Sequence, residues 1–285
     1  MNWGRAKSIL IVLFLITDVF LSFVLVQGRQ AQNSLSKEAI SATVRVLNNH
    51  EIYVTEDVIP RTRTANRHVV LQNFFASPEE AAVIMLGTYT VLEANEEVHA
   101  YQYKNEEALL QITDAGFNYL CSREHVPYKL EKEPSNKDMW DKVSSQLEEL
   151  GFKREETAVE NERWEQGLYH ADVVPVFEDM KLYGISMKLI ADSHGILSLE
   201  GAWFHEAEAE KSDEALLDLT AVLTAMIYRD DCRNLRIASI DTGFYIAGDY
   251  LTSRAITAIP VYVIHDTDDG VMFFDARAGQ LLARR

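Results

Sequence analysis

One stretch near the N-terminus constrains this chain more than any other. Ile9 to Val26 reads ILIVLFLITDVFLSFVLV, with Thr17, Asp18 and Ser22 as its only polar residues. At a rise of about 1.5 Å per residue, this run, extended by Ala6, Ser8 and Gln27, reaches across a hydrocarbon core of about 30 Å. Its apolar residues surround the helix on every face, which argues against a buried core helix. A secretory leader has an apolar core of about 7 to 15 residues followed by a small-residue cleavage site. Here the run is longer and continues into Gln27-Gly28-Arg29-Gln30. The expectation is a short cytoplasmic tail over residues 1–8 and a single transmembrane helix over 9–27. Arg5 and Lys7 hold the short flank inside, so everything after Gly28 lies outside, since a long domain translocates largely regardless of its charge.

Asp18 is the costly residue in that span. A carboxyl group at a helix centre costs about 2.5 to 3.5 kcal/mol on insertion scales, so it calls for a protein partner or a proton. Ile11, Leu15, Asp18, Ser22 and Leu25 recur at four-and-three spacing and form one stripe. The small Ser22 lets another helix approach closely, so this stripe reads as a helix-contact surface.

Composition limits the partners of the remainder. The formal net charge is −17, from 44 acidic and 27 basic residues. Such a surface repels nucleic acid and anionic lipid, and nucleic-acid binding is excluded as a function class. Cys121 and Cys232 are too few for the disulfide framework of a small secreted domain. Their spacing leaves open a single bridge or two separate thiols.

Along the chain, Ser36 caps a helix with the stripe Ile40, Val44, Leu47 that stops at Asn48-Asn49. Ile52 to Ile59 and His68 to Phe75 read as strands, separated by a polar loop after Pro60. Ser77-Pro78-Glu79-Glu80 is a helix start with a capping box, and Gly87 ends that helix. Thr88 to Leu92, Val98 to Tyr103 and Ala108 to Thr113 follow as antiparallel strands. The charged stretch Lys129 to Lys137, with Pro134, reads as a linker, which divides the outer region into subdomains over 28–134 and 135–285. Ser135 then starts a helix with the stripe Trp140, Val143, Leu147, Leu150. Tyr183 to Leu189 alternates as a half-buried strand, Asp192-Ser193-His194-Gly195 turns it, and Leu197 to Trp203 returns. Ser212 to Tyr228 reads as a helix, and the chain closes with strands over Leu235–Ile246, Ile256–Ile264 and Val271–Asp275, the last two joined by a hairpin at Asp266 to Gly270. Helices alternating with groups of antiparallel strands define an α+β class.

The search for chemistry mostly eliminates. His205-Glu206 opens like a zinc-protease motif but lacks the second histidine on the same helix face. Asp266-Thr267-Asp268-Asp269-Gly270 has its glycine one position early for a calcium loop and no glutamate at the twelfth position. His170 and Asp172 have no positioned third group. No phosphate-cradling glycine loop and no nucleophile elbow occur. The sequence predicts no cofactor, no metal and no catalytic site.

The opening MNWGRAKSILIVLFLITDVFL resembles the start of the YycI (WalI) family, in which a short Trp-containing basic tail leads into one transmembrane helix with a polar residue near its middle. Here those residues are Trp3, Arg5, Lys7 and Asp18. The closing IPVYVIHDTDDGVMFFDARAGQLL is similar to the terminal hairpin of YycI and PepSY-like domains, whose Asn/Asp-Ala-x-x-Gly turn is matched by Asp275-Ala276 and Gly279. The resemblance covers both ends of the chain, and the middle by length and element order. It implies a PepSY/YycH-like extracellular region and a non-enzymatic role. It further implies that the chain adjusts a WalK-type sensor histidine kinase of a cell-wall two-component system, together with a YycH-type accessory protein, through transmembrane contacts and the outer domain. The alternative is a PepSY-like extracellular inhibitor or wall-binding module, for which the span is only a tether.

Overall fold

The computed structural model describes residues 35–61, 67–177, 179–211, 216–246 and 255–285. The expected span over 9–27 lies outside them, and among the described residues no helix is long and apolar enough to cross a membrane. In chain order the elements begin with α1 (Lys37–Asn49), β1 (Arg67–Asn73), α2 (Pro78–Leu86), β2 (Thr90–Asn95), β3 (Ala100–Lys104), β4 (Ala108–Thr113) and β5 (Gly116–Cys121). Then come α3 (Asn136–Glu149), β6 (Thr157–Glu165), β7 (Leu168–Phe177), β8 (Met180–Tyr183), β9 (Met187–Asp192), β10 (Gly195–Gly201) and β11 (Phe204–Lys211). The chain ends with α4 (Leu219–Ala225), β12 (Ile237–Tyr245), β13 (Ala255–Asp266), β14 (Val271–Asp275) and β15 (Leu281–Arg284). This is an α+β protein dominated by sheet, as expected, with a mixed rather than purely antiparallel pairing, because β12 runs parallel to β8.

Two compact units form: Met1–Ala65 with Leu216–Asp241 and Ile264–Arg285, and Asn66–Ala215 with Thr242–Val263. The boundary expected between residues 134 and 135 falls inside the second unit. There the charged stretch is a 3-10 turn at Leu130–Lys132, followed by Ser135 capping α3.

In the first unit, Ser36 Oγ accepts the Ala39 amide at 3.1 Å, and Ile40, Thr43 and Leu47 form the buried face of α1. That face packs with α4, which buries Leu219, Val222 and Leu223. The strand expected over Ile52–Ile59 is a single bridge instead. Tyr53 pairs through its backbone with Leu235 and Ile237, while the Asn48 side chain accepts the Val54 amide at 3.1 Å, a group a longer strand would have used for its ladder. Ile52, Val54 and Ile59 are nonetheless buried, although the segment forms no strand. The helix expected from Ser212 begins at Leu219, because the Leu217 amide is spent on Ala276 O at 2.8 Å in extended chain. Residues 212–215 lie outside the described set. At the C-terminus, Asp275 O accepts the Gly279 amide and Asp275 Oδ1 accepts the Arg277 amide. Gly279, at φ 69°, sits in the left-handed region that suits glycine. This turn joins β14 to β15, a strand the sequence reading missed.

The second unit is organised on a sheet in the order β11-β1-β13-β12-β8-β7-β9-β10-β5-β4-β3-β2, with β6 on the free side of β7. Helices α2 and α3 bury Ala81, Ala82, Met85, Met139, Val143 and Leu147 in a core with Tyr103, Leu110, Phe117, Tyr169 and Leu189 from the strands. Phe75 stacks on Phe117 at 4.1 Å, and Phe152 meets Trp203 edge to face at 5.4 Å, contacts worth roughly 0.5–1.5 kcal/mol each beyond burial. Two expectations fail locally. The Ser77 side chain makes no cap hydrogen bond, so Pro78 and the acidic first turn start α2 without the capping box. The run Tyr183–Leu189 is not one strand: Gly184, at φ 101°, ends β8, and β9 begins at Met187.

Candidate functional site

Ile11, Leu15, Asp18, Ser22 and Leu25, the stripe selected by sequence, lie outside the described residues. The motifs weighed as chemistry in the sequence lie within the described residues. His205 Nδ1 is 3.2 Å from Glu156 Oε2, with its ring edge-on to Phe74. Burial raises the Glu156 carboxyl, but its hydrogen bonds to Lys153 and His205 outweigh that and hold it below the ordinary value. Asp266 Oδ1 accepts the Asp268 and Gly270 amides and closes the hairpin turn. Asp172 Oδ2 accepts from Asn161 Nδ2 at 2.7 Å, and burial together with the Arg163 charge lowers the pKa of the neighbouring His170. Among the described residues no cluster of His, Cys, Asp and Glu could hold a metal ion. Both cysteines are free; burial and the Asp231 charge push the Cys232 thiol up to about 11, far from a thiolate nucleophile at neutral pH.

Among the described residues, a dense polar constellation forms that the sequence reading did not select. Asp192, fully buried at the β9–β10 turn, accepts from Arg123 Nη1 at 2.6 Å and Nη2 at 2.8 Å, from the Val126 and His194 amides at 2.8 Å, and from the Gly195 amide at 3.2 Å. Burial alone would raise this carboxyl, but the Arg123 and backbone donors overcome it and bring the pKa down to about 2. Arg123 Nη2 also donates to Gly195 O at 3.1 Å. A cleft of about 680 Å³ opens beside it, lined by Tyr119, Cys121, Arg123, Gln146, Glu149 and His194 among others. Of its lining groups, Gln146 Oε1 accepts the Ile196 amide at 2.9 Å; outside the cleft, Lys142 Nζ donates to Ser193 O at 2.6 Å. Burial and the Cys121 and Glu107 charges push the Tyr119 hydroxyl up to about 12, so it stays neutral. The arrangement pins a turn and a strand end; the Ser193 hydroxyl lies 3.2 Å from His194 Nδ1 and donates to Val126 O. An isolated aspartate in an Asp-Ser-His-Gly turn gives no signal of an arginine 69 residues away, which is why sequence missed it.

The sheet of the second unit presents a second surface. Cross-strand registers place Glu93, Gln102, Gln111, Asn118, Glu200, Lys188, Asp172 and Glu160 opposite one another in turn, one from each of eight strands. The adjacent row on the other face runs Val91, Tyr103, Leu110, Tyr119, Leu199, Leu189 and Ala171. One face is therefore core and the other solvated, with acidic and amide groups in line.

No protein-family model matches the chain, and no curated protein matches it. Among solved structures it is similar to the YpeB C-terminal domain of Bacillus megaterium, at 12% identity and a TM-score of 0.43, covering 73% of this chain and 94% of that one.

Proposed function

We propose that this chain is a membrane-anchored accessory regulator that modulates a WalK-type sensor histidine kinase of a cell-wall two-component system, alongside a YycH-type partner. The observation that carries this reading is the apolar run Ile9–Val26 with Asp18 and Ser22 on one stripe, preceded by the Trp3, Arg5, Lys7 tail that resembles YycI. A single span with a costly carboxyl group is best satisfied against another helix. On this reading the N-terminus is cytoplasmic, the large α+β region is outside the membrane, and the protein acts by binding rather than by catalysis. An outer domain can shift the kinase only if it binds the two kinase states with different affinity. Replacing Asp18 with Leu should lower recovery of the kinase on co-purification from detergent, and undiminished recovery would refute the role of Asp18.

The second reading is a PepSY-like extracellular inhibitor or wall-binding module on a tether. It draws on the turn Asp275-Ala276-Arg277-Ala278-Gly279, formed through the Asp275 side chain and backbone. It requires that the outer region keep its effect on any span.

A further inference from the structure

The strand order of the second unit ends at β2, which among the described residues pairs only with β3. All six of its residues are exposed. Its pairing contains a bulge: Val91 lies opposite Tyr103 and Glu93 opposite Gln102, leaving Leu92 as the extra residue. Without it, the period of two would put Glu93 on the same face as Val91. The bulge instead keeps Val91 on the core face beside buried Tyr103 and turns Glu93 to the solvated face, where Gln102 Nε2 donates to it at 3.0 Å.

The core face thus runs out to the edge and stops in the open. Val91 is 52% exposed, Leu92 56% and Val98 61%. Among the described residues, five of the twelve exposed large hydrophobics fall between positions 83 and 98: these three with Val83 and Ile84. Edge strands that must stay unpaired are commonly guarded by lysine or proline. Residues 69–103 contain no Lys or Arg, but hold Glu79, Glu80, Glu93, Glu96 and Glu97. The exposed apolar residues of the edge sit among predominantly acidic surroundings, with Lys104, opposite Thr90, as the cation of the strand pair. A second copy would bring the same carboxylates together on a chain already at −17, so the charge pattern selects a partner of opposite sign.

We infer that β2 is a docking edge for an extended segment of a partner protein in which apolar residues alternate with lysine or arginine. The segment adds as a further antiparallel or parallel strand; its apolar side chains cover Val91 and Leu92, and its cations meet Glu93, Glu96 and Glu97. The bulge limits the new ladder to a few residues and sets its register. This surface is independent of the transmembrane stripe.

The test uses the full chain in detergent micelles and an eight-residue capped peptide of alternating Lys and Val, followed by fluorescence anisotropy at low salt. Binding is expected, with weakening of about tenfold or more on Leu92→Lys and no change on Leu130→Lys, an exposed apolar site elsewhere. The double variant Glu96→Lys with Glu97→Lys should exchange the preference for the Lys/Val peptide for one for a Glu/Val peptide. A Lys/Val peptide N-methylated at alternate residues keeps the charge and loses the ladder; equal binding of that peptide would overturn the inference, leaving charge attraction alone. Self-association of the chain that Leu92→Lys abolishes would also overturn it, by making a second copy the occupant.

Discussion

The two edge strands β2 and β6 lie on the same sheet and are finished in opposite ways. Along β6 the side chains are tied down: Lys181 Nζ donates to Glu160 at 2.6 Å, Asn161 Nδ2 to Asp172 at 2.7 Å, the Tyr169 hydroxyl to Glu162 at 2.6 Å and Trp164 Nε1 to Asn136 at 2.9 Å. Trp164 also leans on Tyr169 and meets Tyr128 edge to face. Along β2 the polar side chains are engaged at Glu93, which accepts from Gln102, and at Asn95, whose Oδ1 accepts the Glu97 and Val98 amides, while the apolar side chains of Val91 and Leu92 stand in solvent. Both strands contain a bulge, so a bulge alone does not close an edge. An edge is closed when its side chains are consumed locally, and β2 is left with unspent apolar surface.

The largest expected effects test whether the core behind the two edges is equivalent. Tyr103 backs β2 and Tyr169 backs β6, and both are buried. Tyr103→Ala and Tyr169→Ala should each cost about 3 kcal/mol or more in urea unfolding, since each leaves a large cavity. A marked disparity would show that the edges differ in depth as well as finish.

Next comes the pin between them. Asp192→Asn leaves the Arg123 charge without its partner and should cost about 3 kcal/mol at pH 7. The pKa of Asp192 is lowered in the folded chain to about 2, so its contribution is complete above the ordinary carboxylate range and disappears as pH falls from about 4 through about 2. That contribution is on the order of 2 kcal/mol, and the fully buried carboxylate justifies counting it. Urea midpoints measured between pH 5 and 2 should drop steeply in wild type and less steeply in Asp192→Asn.

Smaller effects separate the edges themselves. Trp164→Ala on β6 removes two aromatic contacts and a hydrogen bond and should cost about 2 kcal/mol. Leu92→Lys on β2 should lie within about 0.5 kcal/mol of wild type by the same urea assay, because the folded chain does not use that side chain. Equal costs at the two positions would erase the distinction between a finished edge and an open one.

Much of this architecture was legible in the residues, for identifiable reasons. Caps with a polar side chain and a following apolar stripe, Ser36 with Ile40 and Leu47, and Ser135 with Val143 and Leu147, located α1 and α3 closely. The antiparallel run β2 to β4 and the Asp266–Gly270 hairpin also followed from alternation and turn residues. The misreadings arose where backbone groups were claimed by partners outside a regular local ladder. Val54 is held by the Asn48 side chain, Leu217 by Ala276, and Tyr183 O by Ile246 across a parallel pairing that no local pattern encodes. The division into units escaped for the same reason: the first unit is assembled from three separated segments, and composition along the chain cannot show that. Of the sheet faces, alternation gave those of β9 and β10, where Met187, Leu189, Leu197 and Leu199 are buried. The Arg123–Asp192 pin and the bulge at Leu92 depend on partners far away or on register, and neither leaves a sequence signature.

The proposal that the span is a working part, rather than an anchor, meets its most direct test in liposomes that hold the kinase with this chain. Kinase autophosphorylation is compared between the native chain and one whose residues 9–27 are replaced by an unrelated transmembrane helix of equal length. The account predicts that the native chain shifts the rate and that the replacement abolishes the shift. A shift that survives the replacement would contradict it and assign the activity to the outer α+β region.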